Sequence, residues 1–470
     1  VFVRGTAFYD TQIMDKRNDY YDANNPVQPS QNFPRDNSFT YETRHKAGRN
    51  AQILDAYIYG NWDVMDKPVS ARVGRQVFNW GEGLFYRGGV NTTNPVDAAK
   101  FRLPGSEVKE VLVPVEAFSL NVGLTDNLSM EAFYQWNWKE SAIDPVGTYF
   151  SETDLFADGG NTAYNQSGAL ASALTPNSNF GGLSLYQASV LNPAHGLRGS
   201  SFATSDAFKV ASIKNDLNAK DDGQFGVAFR YIAEELNSTE FGFYFVNYHA
   251  KEPSIHAQVD SAYAGMSQAQ FGALVSSAPV QGAAQLAAAE AGMPGNATAI
   301  AAAAQKIAGG LVSVDVANQI QASREYAEDI RMMGLSFNTT IGEASVFGEL
   351  LNQVLQQAPK IAMGQAVQVG GQTVSLANRA LSNYERVEAY NTSLGTIYNF
   401  GPSLGFDSLF GIAELGSEHV RGSSLQYTDY KGNNYYYAGR ANGSYASGFD
   451  RDDQINKNAY GYTLVASGTW

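Results

Sequence analysis

The chain has 470 residues, of which 44% are hydrophobic, with a mean hydropathy of −0.27 and a formal net charge of −14. That hydropathy is too polar for a bundle of membrane helices, and no run of about 18 uncharged apolar residues occurs; the acidic balance argues against a nucleic-acid partner, which wants clustered Lys and Arg. Cysteine is absent, which excludes disulfides and thiolate metal sites, whereas 12% aromatic residues and 46 Gly suit alternating strands joined by tight turns.

No linker or composition shift divides the chain, so one large β domain over 1–470 is expected. Twelve strands are predicted: 1–13, 52–64, 69–80, 117–124, 128–138, 224–234, 240–249, 332–341, 344–353, 386–399, 408–418 and 459–470. Short connections fall at every second gap and carry Asp, Asn, Gly and Pro, as hairpin turns require. The other gaps, at 14–51, 81–116, 141–222, 250–331, 355–385 and 420–458, are far too long for hairpins. That alternation predicts a transmembrane antiparallel up-and-down β-barrel with periplasmic turns and external loops. Val1 already lies in a strand-like run, so the chain is expected to be a trimmed mature region whose full form has fourteen or more strands.

The faces follow from the period of two. Leu128, Met130, Ala132, Tyr134, Trp136 and Trp138 are expected on the lipid side, with Trp136 and Trp138 in the outer aromatic belt and Glu131, Gln135 and Asn137 lining the interior. Phe118, Leu120 and Val122 oppose Ser119 and Asn121; Phe225, Val227, Phe229 and Tyr231 oppose Gly226, Ala228 and Arg230. Strand seven leaves two options, because Phe241, Phe243 and Phe245 oppose a row of Gly242, Tyr244, Val246 and Tyr248. A lipid-facing charge at mid-bilayer costs about 2 to 4 kcal/mol, so polar rows belong inside.

Linked blocks carry a resemblance: Gly74-Arg-Gln-Val-Phe-Asn-Trp-Gly-Glu82, Gly88-Gly-Val-Asn91, Asn94-Pro-Val-Asp97, Leu103-Pro-Gly-Ser-Glu107, Glu131-Ala-Phe-Tyr-Gln135, Gly147-Thr-Tyr-Phe-Ser151 and Glu328-Asp-Ile-Arg331. The chain resembles the Gram-negative outer-membrane proteins catalogued as domain of unknown function thirteen-zero-two. The resemblance implies a bacterial outer-membrane barrel that works beside a periplasmic lipoprotein carrier and an inner-membrane pump of the resistance-nodulation-division class. Traffic of a hydrophobic or lipidic compound follows from that setting, and no catalytic residue does.

Three constellations stand out. The 81–116 loop carries Glu82, Arg87, Asp97, Lys100, Arg102 and Glu107 between stiff corners at Pro95, Pro104 and Gly105. Folded inward it forms a charged constriction, anchored through Arg72, Gln76 and Glu82 on one face of the preceding strand; folded outward it caps the rim with salt bridges. Arg75 falls on the lipid face, which requires a bulge or an interfacial position. The second constellation is the 250–331 excursion, whose Ala-rich stretch reads as a helical extracellular insertion with Ile300, Ala303, Ala304, Ile307 and Leu311 on one face. Ile300, Ile307 and Leu311 are candidates for an external lid over the barrel mouth; self-packing is the plainer reading. The third, 141–222, is rich in Gly, Ser, Asn and Ala and reads as a long solvated external loop, while 366–376 reads as a hairpin turning at Gly370-Gly371.

The five His have no partners at catalytic or metal-ligand spacing, and no Gly-x-Ser-x-Gly elbow occurs, so neither enzyme activity, cofactor nor metal is expected. The expected function is an outer-membrane channel or transporter for a hydrophobic or lipidic small molecule. Its constriction residues are Arg72, Gln76, Glu82, Arg87, Asp97, Lys100, Arg102, Glu107, Glu131, Gln135 and Arg230, and its belt contacts outer-membrane lipid and lipopolysaccharide. The alternative is a plugged barrel acting as a surface interaction or assembly scaffold.

Overall fold

The computed structural model describes residues 1–16, 38–86, 89–102, 111–151, 157–166, 207–259, 268–290, 318–359, 366–369, 372–375, 381–382, 384–428, 434–436 and 456–470, with scattered positions between 263 and 316. Twelve strands form one antiparallel sheet in which spatial order equals sequence order. They are β1 (Phe2–Tyr9), β2 (Arg49–Val64), β3 (Lys67–Gln76), β4 (Val115–Gly123), β5 (Leu128–Gln135), β6 (Gln224–Ala233), β7 (Thr239–Tyr248), β8 (Ile330–Ile341), β9 (Ala344–Pro359), β10 (Tyr384–Ser403), β11 (Phe406–Arg421) and β12 (Asn458–Thr469). Every predicted strand is present, and the up-and-down barrel wall is as expected. Among the described residues no ladder joins β1 to β12.

The tight turns explain the hairpins. Met65 and Asp66 both have positive φ, as do Asn237 and Ser238, which gives a backbone twist that matches the twist of the flanking strands. Gly342 and the Leu404-Gly405 pair do the same for β8–β9 and β10–β11.

Register settles the faces. One row runs across the wall through Asn121, Glu131, Ala228, Tyr244, Gly334, Leu351, Asn391 and Glu418. Ala228, Tyr244, Leu351 and Asn391 in it are buried, so this row points inward. Strand β7 is thereby resolved: Gly242, Tyr244, Val246 and Tyr248 face in, and exposed Phe243 faces out with Phe241 and Phe245. The outer face presents Ile58, Val73, Phe118, Tyr134, Phe225, Phe243, Leu335, Leu350, Leu394 and Leu415, all exposed on successive strands from β2 to β11.

Strand ends differ from the sequence reading in several places: β1 stops at Tyr9, before a short helix at Thr11–Asp15, β9 runs on to Pro359, and two further differences relocate aromatic side chains. β3 stops at Gln76, so Phe78 and Trp80 leave the wall and become buried inside. β5 stops at Gln135; Trp136 remains exposed, but Trp138 is 8% exposed and lies against Tyr326, its indole N–H donating to the Ala250 carbonyl at 3.1 Å. Trp138 is therefore not in the lipid-facing belt. Alternation alone could not place it, because a chain leaving a strand loses the period of two.

A second, five-stranded sheet stands at the long-loop end, in the order 162–166, 207–213, 320–325, 254–259, 381–382. It draws two strands from the stretch read as a solvated loop and two from the excursion read as helical. Those strands are five to seven residues long, too short to show a period in a Gly- and Ser-rich context. Helices do occur in the excursion, at Gln268–Val275 and Ala278–Glu290. The predicted hairpin near Gly370-Gly371 forms, with Val369 opposite Gln372.

Candidate functional site

The 77–102 segment turns into the barrel rather than over its rim. Phe78 stacks on Phe133 of β5 at 4.2 Å between ring centroids, and Trp80 meets Phe133 edge-on at 5.0 Å and Tyr244 of β7 at 6.2 Å. Val90, Val115, Val246, Tyr248, Met332 and Leu351 complete a buried cluster against β4–β9. Gly226 allows this approach, since a Cβ there would stand 2.9 Å from the Trp80 ring. Asn94 locks the segment's return, its side chain donating to the Phe78 carbonyl at 2.5 Å and accepting the Phe78 N–H at 3.2 Å.

On the opposite side the segment is held by its backbone. Glu349, inward on β9, accepts the N–H groups of Glu82, Gly83 (2.8 Å) and Val90 (3.3 Å). Glu414, inward on β11, accepts those of Leu84 (3.2 Å) and Phe85 (2.6 Å). The two carboxylates are 6% and 2% exposed. Tyr86 reaches further, donating to the Ser417 carbonyl at 3.1 Å and lying over Gly416, where a Cβ would be 2.6 Å from its ring. One inserted segment thus touches β5, β7, β9 and β11, and the wall curls around it. Charge-assisted bonds from backbone N–H to carboxylate are stronger than neutral ones, so the clasp is firm.

The predicted constriction residues separate into groups. Arg72 lies on the inner face with its guanidinium 5.5 Å from the Tyr57 ring. Gln76 is buried, donating to the Ala117 carbonyl at 2.8 Å and accepting from Ser119 at 2.9 Å. Glu82 is not on the strand with them; it sits in the inserted segment and accepts from Asn338 of β8 at 2.9 Å. Asp97 and Lys100 pair with each other at 3.6 Å near the segment's end. Arg102 closes a short turn, Ala98–Arg102, while Arg87 and Glu107 lie outside the described residues. Glu131 belongs to the inner row, Gln135 donates to the Asn137 carbonyl at 2.6 Å, and Arg230 stands 3.8 Å from Glu240. Of the external-lid residues, Ile300 and Ile307 lie outside the described residues; Leu311 is fully buried with Ala304, Ala308, Val312 and Val316.

Sequence reasoning missed Glu349 and Glu414. A signal existed: each is an acid in mid-strand beside an apolar outward residue, Leu350 or Leu415, and an acid there has only the interior to face. Below the segment, at the tight-turn mouth, a cavity of about 580 Å³ is lined by Asn61, Ser70, Asn121, Ser129, Arg230 and Glu240 among others.

The rim is tied by charge. Arg324 donates to Asp216 at 2.9 Å and Asp158 at 3.0 Å and lies 3.7 Å from Glu140. Burial opposes its charge, but the bond to Asp216 and the fields of Glu140 and Asp158 hold the guanidinium well above its ordinary value. Burial, then the bond it donates to Glu140, pushes the Tyr326 hydroxyl up. His249 accepts the Asp329 N–H at 3.0 Å on Nδ1, so its Nε2–H donates to the Asp222 carbonyl at 2.8 Å; burial lowers its pKa. Lys251 is 4% exposed, donates to Gln224 at 2.6 Å, and is pushed down to about 7 by burial.

The family model described as protein of unknown function, DUF1302, matches residues 1–470. The chain belongs to the DUF1302 family. No curated protein matches this DUF1302 member. Among solved structures it is similar to the outer membrane channel DcaP of Acinetobacter baumannii, with 7% identity, coverage of 80% of this chain and 70% of that one, and a TM-score of 0.27. It is also similar to OmpT of Vibrio cholerae (9%, 89% and 65%, 0.25) and to a Pseudomonas aeruginosa FadL homologue (11%, 82% and 74%, 0.21).

Proposed function

We propose that this DUF1302 barrel is a bacterial outer-membrane channel or transporter for a hydrophobic or amphiphilic small molecule. The lipid-facing row of large apolar side chains supports a seat in a bilayer. The observation that carries the reading is the inserted 77–102 segment, clasped by Glu349 and Glu414 so that it narrows the barrel from within. One flank of that segment is aromatic and the other is the polar inner face of β2, β3 and β11, which suits a molecule with both an apolar body and a polar group. Exchange with a periplasmic lipoprotein carrier and a resistance-nodulation-division pump is part of the proposal, on the strength of the family setting.

A second reading has its own support. The aromatic cluster fills the β4–β9 side of the lumen, which favours a plugged barrel presenting its rim as a scaffold. Planar-bilayer recordings separate the two, combined with uptake and efflux of a hydrophobic dye in cells making the intact or the clasp-weakened protein. Absence of current together with unchanged dye flux in both proteins overturns the transport reading.

A further inference from the structure

The two ends of the barrel wall carry opposite charge. Next to the long connections the outer face bears Arg75, Lys139, Lys220, Arg331 and Arg421 against Glu116, Asp329 and Glu388. At the other end the exposed turn residues Asp66, Asp126, Glu234, Glu235, Glu343 and Asp407 face a single described cation, Lys67. A membrane-spanning wall needs some interfacial charge at both ends; it does not need the sign to differ.

The cationic end contains a built cluster. Arg75 lies on the outer face, bonded to Glu116 through Nη2 at 2.6 Å and Nε at 2.9 Å, and its Nη1 donates to the Ile53 carbonyl at 2.6 Å. Lys139 bonds the same carboxylate at 3.0 Å and the Pro114 carbonyl at 2.9 Å, and Asn137 donates to Glu116 at 2.9 Å. One carboxylate thus holds two cations and one positive charge is left over. The Arg75 and Lys139 side chains stay 34% and 24% exposed. Exposed Tyr134, Trp136 and Phe225 lie beside them, which puts the cluster at the level of an aromatic belt, where headgroups sit. Arg331 and Arg421 continue the cationic level on β8 and β11, the latter lying 5.1 Å over the Tyr390 ring.

We infer that this level is a binding surface for phosphate-bearing lipid headgroups of the leaflet on the long-loop side. Guanidinium and ammonium groups at a bilayer surface recognise anionic headgroups, and the acidic turns at the opposite end repel them. The surface therefore also fixes which end of the barrel faces the phosphorylated leaflet. It requires the barrel to sit in lipid but not to conduct, so it stands or falls separately from transport.

The test is native mass spectrometry of the full chain, purified in detergent, against an equimolar mixture of a bis-phosphorylated diglucosamine lipid and its dephosphorylated counterpart with the same acyl chains. The intact protein should retain the phosphorylated lipid preferentially, by about fivefold for each engaged cation. Arg331→Gln with Arg421→Gln, both exposed, should lose much of that preference; adding Arg75→Gln, which leaves Glu116 balanced by Lys139, should lose most of the rest. Glu234→Gln with Glu235→Gln should leave it unchanged, and millimolar inorganic phosphate should not displace the lipid. Equal retention of the two lipids, retention of neither, or a preference untouched by the three arginine changes overturns the inference.

Discussion

The carboxylate of Glu349 accepts the backbone N–H of Gly83 at 2.8 Å across 266 residues of sequence. Because the donors on the inserted segment are backbone groups, no side-chain substitution in that segment other than proline removes them, and the lever is on the wall. Glu349→Gln and Glu414→Gln together replace four acceptor oxygens by two and direct amide hydrogens at the segment's own N–H groups. Loss of hydrogen bonds to a charged group costs about 1.5 to 3 kcal/mol each. The segment should loosen, and single-channel conductance in planar bilayers should rise above that of the intact protein. An unchanged conductance with a folded barrel would show that the clasp does not set the constriction.

Gly81 stands at φ +88 with the Glu349 carboxylate where its Cβ would be. Gly81→Ala combines left-handed backbone strain with displacement of that carboxylate, a penalty on the order of 1 to 3 kcal/mol. The midpoint of the heat-induced mobility shift on gels should fall. Gly342→Ala, at φ +61 with open space around it, should lower it less.

Arg324 holds three carboxylates at the rim and its side chain is 12% exposed. Arg324→Met removes the guanidinium from Asp216 and leaves Lys46 as the cation beside Asp158 and Glu140, and breaking such a buried pair costs about 3 to 5 kcal/mol. Limited proteolysis should then cut within 207–216 or 320–325 while the barrel wall stays resistant. Equal resistance of the variant and the intact protein at the rim would rule out this role.

Lys251 gives a pH dependence of definite sign. Its unfolded form keeps the proton up to about 10.4, whereas the folded form gives it up near 7. Between those values the unfolded chain binds the extra proton, so stability rises as pH rises through that window and is lower below it. Lys251→Met keeps the length of the side chain and removes the titration. The variant should gain most at pH 6 to 7, and its unfolding midpoint should vary less with pH from 7 to 10 than that of the intact protein.

The wall was legible because its physics is local. Each strand from β1 to β12 advertises itself by a period of two, and each hairpin by a turn such as Met65-Asp66 or Gly342. The inward row of β7 was not, since Phe243 and Tyr244 are both aromatic and only the burial of Tyr244 among Gly334, Ser336 and Leu351 distinguishes them. Likewise the period of two puts Gln76 and Arg72 on the face they occupy, but it does not extend to Glu82, because the strand ends at Gln76.

What the sequence determined by itself is a membrane-facing β wall with long connections at one end, because alternation and turn chemistry are set by neighbours along the chain. Whether the 77–102 segment would enter the barrel or cap it depended on partners far along the chain: Glu349, Glu414 and Ser417, 267 to 331 residues away, on one side, and Phe133 and Tyr244 on the other. Contacts at that separation leave no periodic trace, and only the curvature of the sheet brings them to one place.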